Sequence, residues 1–319
     1  MLNRRILRIK AFKTLYGSVL SGNMSLEQAE AQLELSCEAA RDLYVYMLGI
    51  VSPLTQIAKD RIEAAKAKFN PTEEEKNPNT KFADNALAKL IDADVDFQKV
   101  FKKKKFSWVE YDIVLKKIFS SICEKEYYAE YMQSPVRSLE EDCKLFTKIF
   151  EEEIVDCEEL ESVLEDKSIY WNDDLAYSLT WCCKTFKSFE KGESWSLIPL
   201  YQSEMLTGAD VESDKFFVRK LLQASFAGYE RYSAMIAENV TGWEKERLFS
   251  TDMVLIAMGL AEASTFASIP VKVTMNEYVE ISKYYGTPKS RSFVNGLLDR
   301  LIQKLVEEGQ VKKTGKGLL

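Results

Sequence analysis

The 319-residue chain can form two ordinary domains or one large helical one, and 46% apolar and 29% charged residues with only 13 Gly and 7 Pro suit a helical, core-forming protein and exclude extensive disorder. The absence of histidine excludes His-dependent catalysis, and Cys37, Cys123, Cys143, Cys157, Cys182 and Cys183, with no Cys-x-x-Cys spacing, exclude ordinary zinc fingers and read as buried free thiols of a reducing cytoplasm. The formal charge of −7 argues against a nucleic-acid partner only on average: residues 1–26 carry +5, residues 140–174 carry −11 and residues 268–319 carry +4.

Along the chain, Ile6, Ile9, Phe12, Tyr16 and Val19 recur every three or four positions, which predicts a core-facing helix over 4–20. Ser25 and Gln28 form a capping-box start for the next helix, and Leu43, Met47, Ile50 and Leu54 mark a long one through Phe69, kinked at Pro53. Residues 70–80, rich in Asn, Glu and Pro, read as a loop. A basic run, Lys99 and Lys102 to Lys105, lies among Phe101, Phe106 and Trp108; such interleaving suits RNA, and equally a solvated face. Residues 141–190 and 213–265 are weakly alike at a shift of 72, pairing Phe146 with Val218, Phe150 with Leu222 and Trp171 with Trp243. A duplicated helical hairpin and chance similarity between amphipathic helices account for this equally well.

The C-terminal third is the most legible. Pro270 imposes an extended approach, and Thr274 with Glu277 fits a capping box that starts a helix. Gly286 should stop it in the left-handed conformation, and Thr287-Pro288 should restart another as N-cap and first residue. Val294, Leu297, Leu301 and Leu305 then carry an apolar face as far as Gly309. The exposed start of this second helix bears Lys289, Ser290, Arg291 and Ser292, a combination of free N–H groups and cations that suits phosphate.

The run Ile269-Pro270-Val271-Lys272-Val273-Thr274-Met275-Asn276-Glu277, then Val279-Glu280-Ile281, then Ser292-Phe293-Val294-Asn295-Gly296-Leu297-Leu298-Asp299, closely resembles the C-terminal signature of the NusB family. Arg4-Arg5-x-x-Arg8 with Ala11 and Leu15-Tyr16 resembles that family's Arg-rich first helix, and the helix after Asp214 is a softer match. The resemblance implies an all-α fold: a NusB-like helical bundle of two packed subdomains, formed here by residues 1–35 and 213–319 and enlarged by a helical, acidic insertion over 36–212.

It further implies a transcription antitermination factor that binds a boxA-like RNA together with NusE, a small-subunit ribosomal protein, in the RNA polymerase antitermination complex at ribosomal RNA operons. Carried onto this chain, RNA contacts fall to Arg4, Arg5, Arg8, Tyr16, Lys289, Ser290, Arg291, Ser292 and Phe293, with Arg4 and Arg8 one turn apart on successive phosphates and Tyr16 and Phe293 either stacking on bases or packing in the core. The NusE-type partner would meet Asp252 and Glu262. The chain departs from the family in the length between its first helices and about Val211, in Ala257 where an Arg is usual, and in Lys289 where an acidic residue is usual.

Glycine-rich nucleotide loops, metal clusters and catalytic constellations are not read from the chain, so neither enzyme activity nor a cofactor or metal is expected. No signal peptide or membrane span is expected, because charges interrupt the N-terminus and no apolar run reaches about 18 residues. The competing expectation is a non-catalytic protein-interaction scaffold that keeps the fold and has specialised through its acidic insertion.

Overall fold

The computed structural model describes residues 1–206, 213–240 and 251–318. Among them the regular elements are helical, and the extended pairing is an isolated bridge between Leu2 and Tyr201. In chain order the helices are α1 (Arg4–Ser21), α2 (Leu26–Leu48), α3 (Val51–Lys66), α4 (Glu73–Lys76), α5 (Ala86–Ala93), α6 (Val95–Lys103), α7 (Asp112–Cys123), α8 (Glu126–Gln133), α9 (Leu139–Ile149), α10 (Glu158–Lys167), α11 (Leu175–Glu190), α12 (Asp214–Glu238), α13 (Thr251–Thr265), α14 (Val271–Tyr285) and α15 (Ser290–Glu307). They divide into two compact units, Met1–Cys37 with Pro199–Leu319, and Glu38–Ile198. The first division falls inside α2.

The first unit is built around α13, on which α1, α12, α14 and α15 all pack. Residues 252–263 of that helix are buried without interruption, as an apolar helix surrounded by others must be. Gly259 permits the closest approach, since a Cβ there would lie 2.7 Å from Leu298 Cδ2. The N-terminal strand of chain joins this unit through Leu2, whose N–H donates to the Leu200 carbonyl at 2.7 Å and whose carbonyl accepts from Gln202 at 2.9 Å.

α1 begins where Asn3 Oδ1 accepts the Ile6 N–H at 3.0 Å and ends at Gly22, whose φ of 67° is left-handed. Its buried residues are Leu7, Arg8, Lys10, Ala11, Phe12, Thr14, Leu15 and Ser18. Of the stripe expected from periodicity only Phe12 is buried; Ile6, Ile9, Tyr16 and Val19 are half-buried. The face is rotated because a charged residue, Arg8, turns inward.

Arg8 is 3% exposed and meets Glu262, which is fully buried in α13. Its Nε and Nη2 donate to the two carboxylate oxygens at 2.7 and 2.8 Å, and Thr274 and Tyr278 of α14 donate their hydroxyls to the same oxygens at 2.8 and 3.1 Å. Phe217 of α12 lies under the guanidinium, its ring centre 5.0 Å away. Burial alone would lower the Arg8 guanidinium, but the charge and hydrogen bonds of Glu262 outweigh it and hold the group above its ordinary value. The two other arginines of α1 pair nearer the surface, Arg4 with Asp214 of α12 at 3.2 Å and Arg5 with both oxygens of Glu277 of α14 at 2.9 and 2.7 Å.

Several local expectations change. The predicted long helix over 43–69 breaks at Gly49 and Ile50, and Pro53 stands in the first turn of α3, where its missing N–H costs nothing. The loop over 70–80 contains α4, closed by a reciprocal capping box between Thr72 and Glu75. The Ser25–Gln28 capping box forms as expected. α14 starts directly after Pro270, so Thr274 and Glu277 are not a capping box but side chains inside the helix, committed to Glu262 and Arg5. Gly286 does end α14, but extended at φ −109° rather than left-handed; glycine is needed there for space, because a Cβ would sit 2.6 Å from the Ser282 carbonyl oxygen. α15 begins at Ser290 rather than Thr287, the intervening turn being tied by the Thr287 N–H to Ser290 Oγ at 2.8 Å.

In the second unit α9 packs on α11 and α3 on α5 and α7. Tyr44 anchors its core through hydrogen bonds with Thr185 Oγ1 at 2.8 Å and Trp195 Nε1 at 3.1 Å. Tyr46 stacks on Trp108 at 4.2 Å with Phe106 edge-on at 5.3 Å, so the aromatics near the lysine run pack inward while Lys102 to Lys105 face solvent. The internal likeness joins differently built segments: a π-helical turn over Phe150–Ile154 interrupts the first stretch, whereas α12 runs unbroken through the matching positions. Trp243 lies outside the described residues. The cysteines are free thiols, four buried, with Cys123 exposed and Cys157 half-buried.

Two measurements test the arginine pairs. Arg8→Met should cost about 3–5 kcal/mol in urea unfolding because it strands a buried carboxylate, and adding Glu262→Leu should recover most of that loss. A double variant no more stable than Arg8→Met would contradict the pairing. Glu277 is held below its ordinary value first by the hydrogen bonds from Arg5, against the opposing effect of burial. A depressed carboxylate contributes stability that is complete above its unfolded value, here about 4.5, and is lost as pH falls through the folded one. The gap in urea midpoint between the unaltered chain and Glu277→Gln should therefore be constant near neutrality and shrink in acid; a gap undiminished in acid would refute the pair's contribution.

Candidate nucleic-acid interface

Side chains link α1 to α14 at two levels, in the same order along both helices. Arg5 meets Glu277 and, about two turns on, Phe12 meets Tyr285 at 5.4 Å between ring centres, with the Lys13 ammonium 5.6 Å from the same ring. One stripe of α14 carries Val273, Glu277, Glu280 and Tyr284, at the i, i+4, i+7, i+11 spacing of one helix face, with the two ends exposed and the two carboxylates half-buried. Glu280 is held below its ordinary value first by its hydrogen bond from Lys283, and the charges of Arg5 and Arg291 act in the same direction. Arg5 thus meets α14 through Glu277, and α14 packs on α15, whose start carries Lys289 and Arg291.

The predicted residues divide sharply. Arg5 is 50% exposed, and Lys289, Arg291 and Ser292 are exposed. Arg4 is half-buried, its guanidinium 4.8 Å from the Phe217 ring centre. Tyr16 is half-buried and stacks on Phe12 at 6.0 Å, and Phe293 is half-buried at the start of α15. Ser290 is buried and donates its hydroxyl to Asp252 Oδ2 at 2.8 Å, while the Ser292 hydroxyl turns back to the Lys289 carbonyl at 3.1 Å.

Four residues expected at contacts are internal: Ser290, Arg8, Asp252 and Glu262. Arg8 cannot clamp a phosphate beside Arg4, because its guanidinium is sealed against Glu262. Asp252 and Glu262 were expected to meet a protein partner; they are 2% and 0% exposed and spend their carboxylates on Ser290 and on Arg8, Thr274 and Tyr278. An acidic residue in an otherwise apolar helix is tolerable only with such partners, which lie far away in sequence.

A cleft of about 580 Å³ opens beside this face, lined among others by Asn3, Arg4, Arg5, Val273, Glu277 and Lys316. Lys316 was not anticipated individually, although the C-terminal charge excess was its signal. The tail reaches the cleft by folding over the end of α13: Lys313 Nζ donates to the Ala263 and Phe266 carbonyls at 2.9 Å each, and the Thr314 N–H donates to the Ala267 carbonyl at 3.0 Å. Gly317 is required by space there, since a Cβ would lie 1.9 Å from the Ala267 oxygen. Among the described residues no group of His, Cys, Asp and Glu is arranged to hold a metal ion, and no helix is long and apolar enough to cross a membrane.

The NusB family model matches residues 190–303, a span that carries α12 to α14 and most of α15. The chain is 34% identical over 107 residues to the transcription antitermination protein NusB of Salinibacter ruber, which is 34% of this chain and 67% of that protein. It is 33% identical over 111 residues to the protein of the same name from Chloroherpeton thalassium, 35% of this chain and 52% of that protein, and 37% identical over 93 residues to that of Syntrophotalea carbinolica, 29% and 60%. No solved structure matches the chain. With the similarity to the Salinibacter protein reaching two thirds of its length and the family match falling on the all-helical unit described above, this chain belongs to the NusB family.

Proposed function

We propose that the chain is a transcription antitermination factor that binds a boxA-type single-stranded RNA with NusE, as part of the RNA polymerase antitermination complex at ribosomal RNA operons, and that it acts in the cytoplasm without catalysis. The observation that carries this reading is the name shared by its relatives, transcription antitermination protein NusB, joined to the exposed cations Arg5, Lys289 and Arg291 around α14. Arg5 is the pivotal group: its partner Glu277 is near the surface, so the guanidinium can exchange a carboxylate for a phosphate at small cost. Arg8 takes no part, and the NusE contact falls on surface other than Asp252 and Glu262.

Phosphate contacts make affinity salt-dependent, each adding about −0.7 to the log–log slope for a single strand. Titration of a labelled boxA-type RNA in the presence of NusE should give a lower affinity and a shallower slope for Arg5→Ala/Arg291→Ala. Unchanged affinity at low salt would remove both residues from the interface.

A second, scaffold function is favoured by one feature of the second unit. A cleft of about 640 Å³ has Phe97, Phe101, Phe106 and Trp108 in its walls and Asp60 and Asp92 at its edge, beside the exposed Val109 and Ile113. On this reading, Val109→Asp/Ile113→Asp abolishes retention of a protein partner and leaves RNA affinity unchanged; retention by the variant would count against it.

A further inference from the structure

Tyr284 is 78% exposed at the last turn of α14, while its neighbour Tyr285 turns inward against Phe12 and accepts the Thr251 hydroxyl on its carbonyl at 2.8 Å. Adjacent helix positions point about 100° apart, and on this helix the core side takes Tyr285 and leaves Tyr284 outside. The outward one shares a stripe with Glu277, which holds Arg5, and with Glu280, which accepts a hydrogen bond from Lys283. Seven residues separate Tyr284 from Glu277, a rise of about 10 Å along the helix. An exposed phenol ring thus stands at the end of the helix that holds Arg5, seven residues before Arg291 at the start of the next helix. Burying a ring is the ordinary use of tyrosine; leaving one out in water on a helix that holds an arginine through Glu277 suits a flat, anionic, unpaired partner.

We infer that Tyr284 is a base-stacking platform for single-stranded RNA, receiving a base next to a phosphate held by Arg5 or Arg291; the inference rests on the RNA-binding function proposed above. Stacking uses the face of the ring and adds no charge, so it should strengthen binding without altering its salt dependence. It should also tolerate any flat ring and reject an aliphatic side chain of similar bulk.

The test uses the full chain with NusE and a fluorescein-labelled boxA-type 12-nucleotide RNA, read by anisotropy across a salt series. Tyr284→Ala should weaken binding about tenfold with the slope unchanged, Tyr284→Trp should bind like the unaltered chain, and Tyr284→Leu should behave like the alanine variant. The exposure of the residue keeps these substitutions from disturbing the fold. Alanine within about twofold of the unaltered chain, leucine as good as tryptophan, or a changed slope would each overturn the stacking role. An unaltered chain that binds no RNA would overturn the RNA-binding function and this inference together, whereas a silent Tyr284→Ala in a chain that does bind would remove only the latter.

Discussion

A single carboxylate, Glu262, organises the NusB-family unit. It lies fully buried in the most apolar helix of the chain and accepts hydrogen bonds from Arg8, Thr274 and Tyr278. An unpaired charge in such a place would cost several kcal/mol, so α1 and α14 must each be present for α13 to be stable. The partners are 254, 12 and 16 residues away in sequence, and the first of these separations spans the entire second unit. Two distant ends of the chain are thereby obliged to fold together. This is a matter of specificity as much as of strength, since the one guanidinium that reaches Glu262 sets the rotation of α1 and decides which of its residues point outward.

That rotation determines what the basic helix can offer. With Arg8 inside and Arg4 against Phe217, Arg5 is the arginine of α1 left most open to solvent, and it rests on Glu277 beside α14. Glu277 of α14 keeps Arg5 in place while competing with any anion that approaches. RNA binding at such a surface is an exchange of partners rather than the filling of a vacant site, and its affinity reflects the difference between phosphate and carboxylate on the same guanidinium.

The helical class, the family signature, the extent of α1 and the C-terminal end of α15 were legible because they depend on neighbours in sequence: Gly309 acts locally, as did the apolar face of Val294, Leu297, Leu301 and Leu305. What was not legible depended on distant partners. The local pattern Thr274-x-x-Glu277 fits a capping box, and only the return of α1 shows that both side chains belong to other helices. Acidic Asp252 and Glu262 and basic Arg8 look like surface groups until each finds the other side of its pair. Gly286 was recognised as a stop, although the close packing of Ser282 and Ser290, not a left-handed backbone, demands it. Tyr284 escaped notice because exposure is a property of packing, and consecutive tyrosines give no sign of which one is outside.

The central claim, that the RNA-binding surface is the face where α1, α14 and the start of α15 meet, is tested most directly by photo-crosslinking the intact chain to a boxA-type RNA carrying 4-thiouridine and locating the attached residues by mass spectrometry. Attachment concentrated in 3–16, 272–293 and the tail around Lys316 is the expected result. Crosslinks confined to 38–198, or spread evenly over both units, would contradict it.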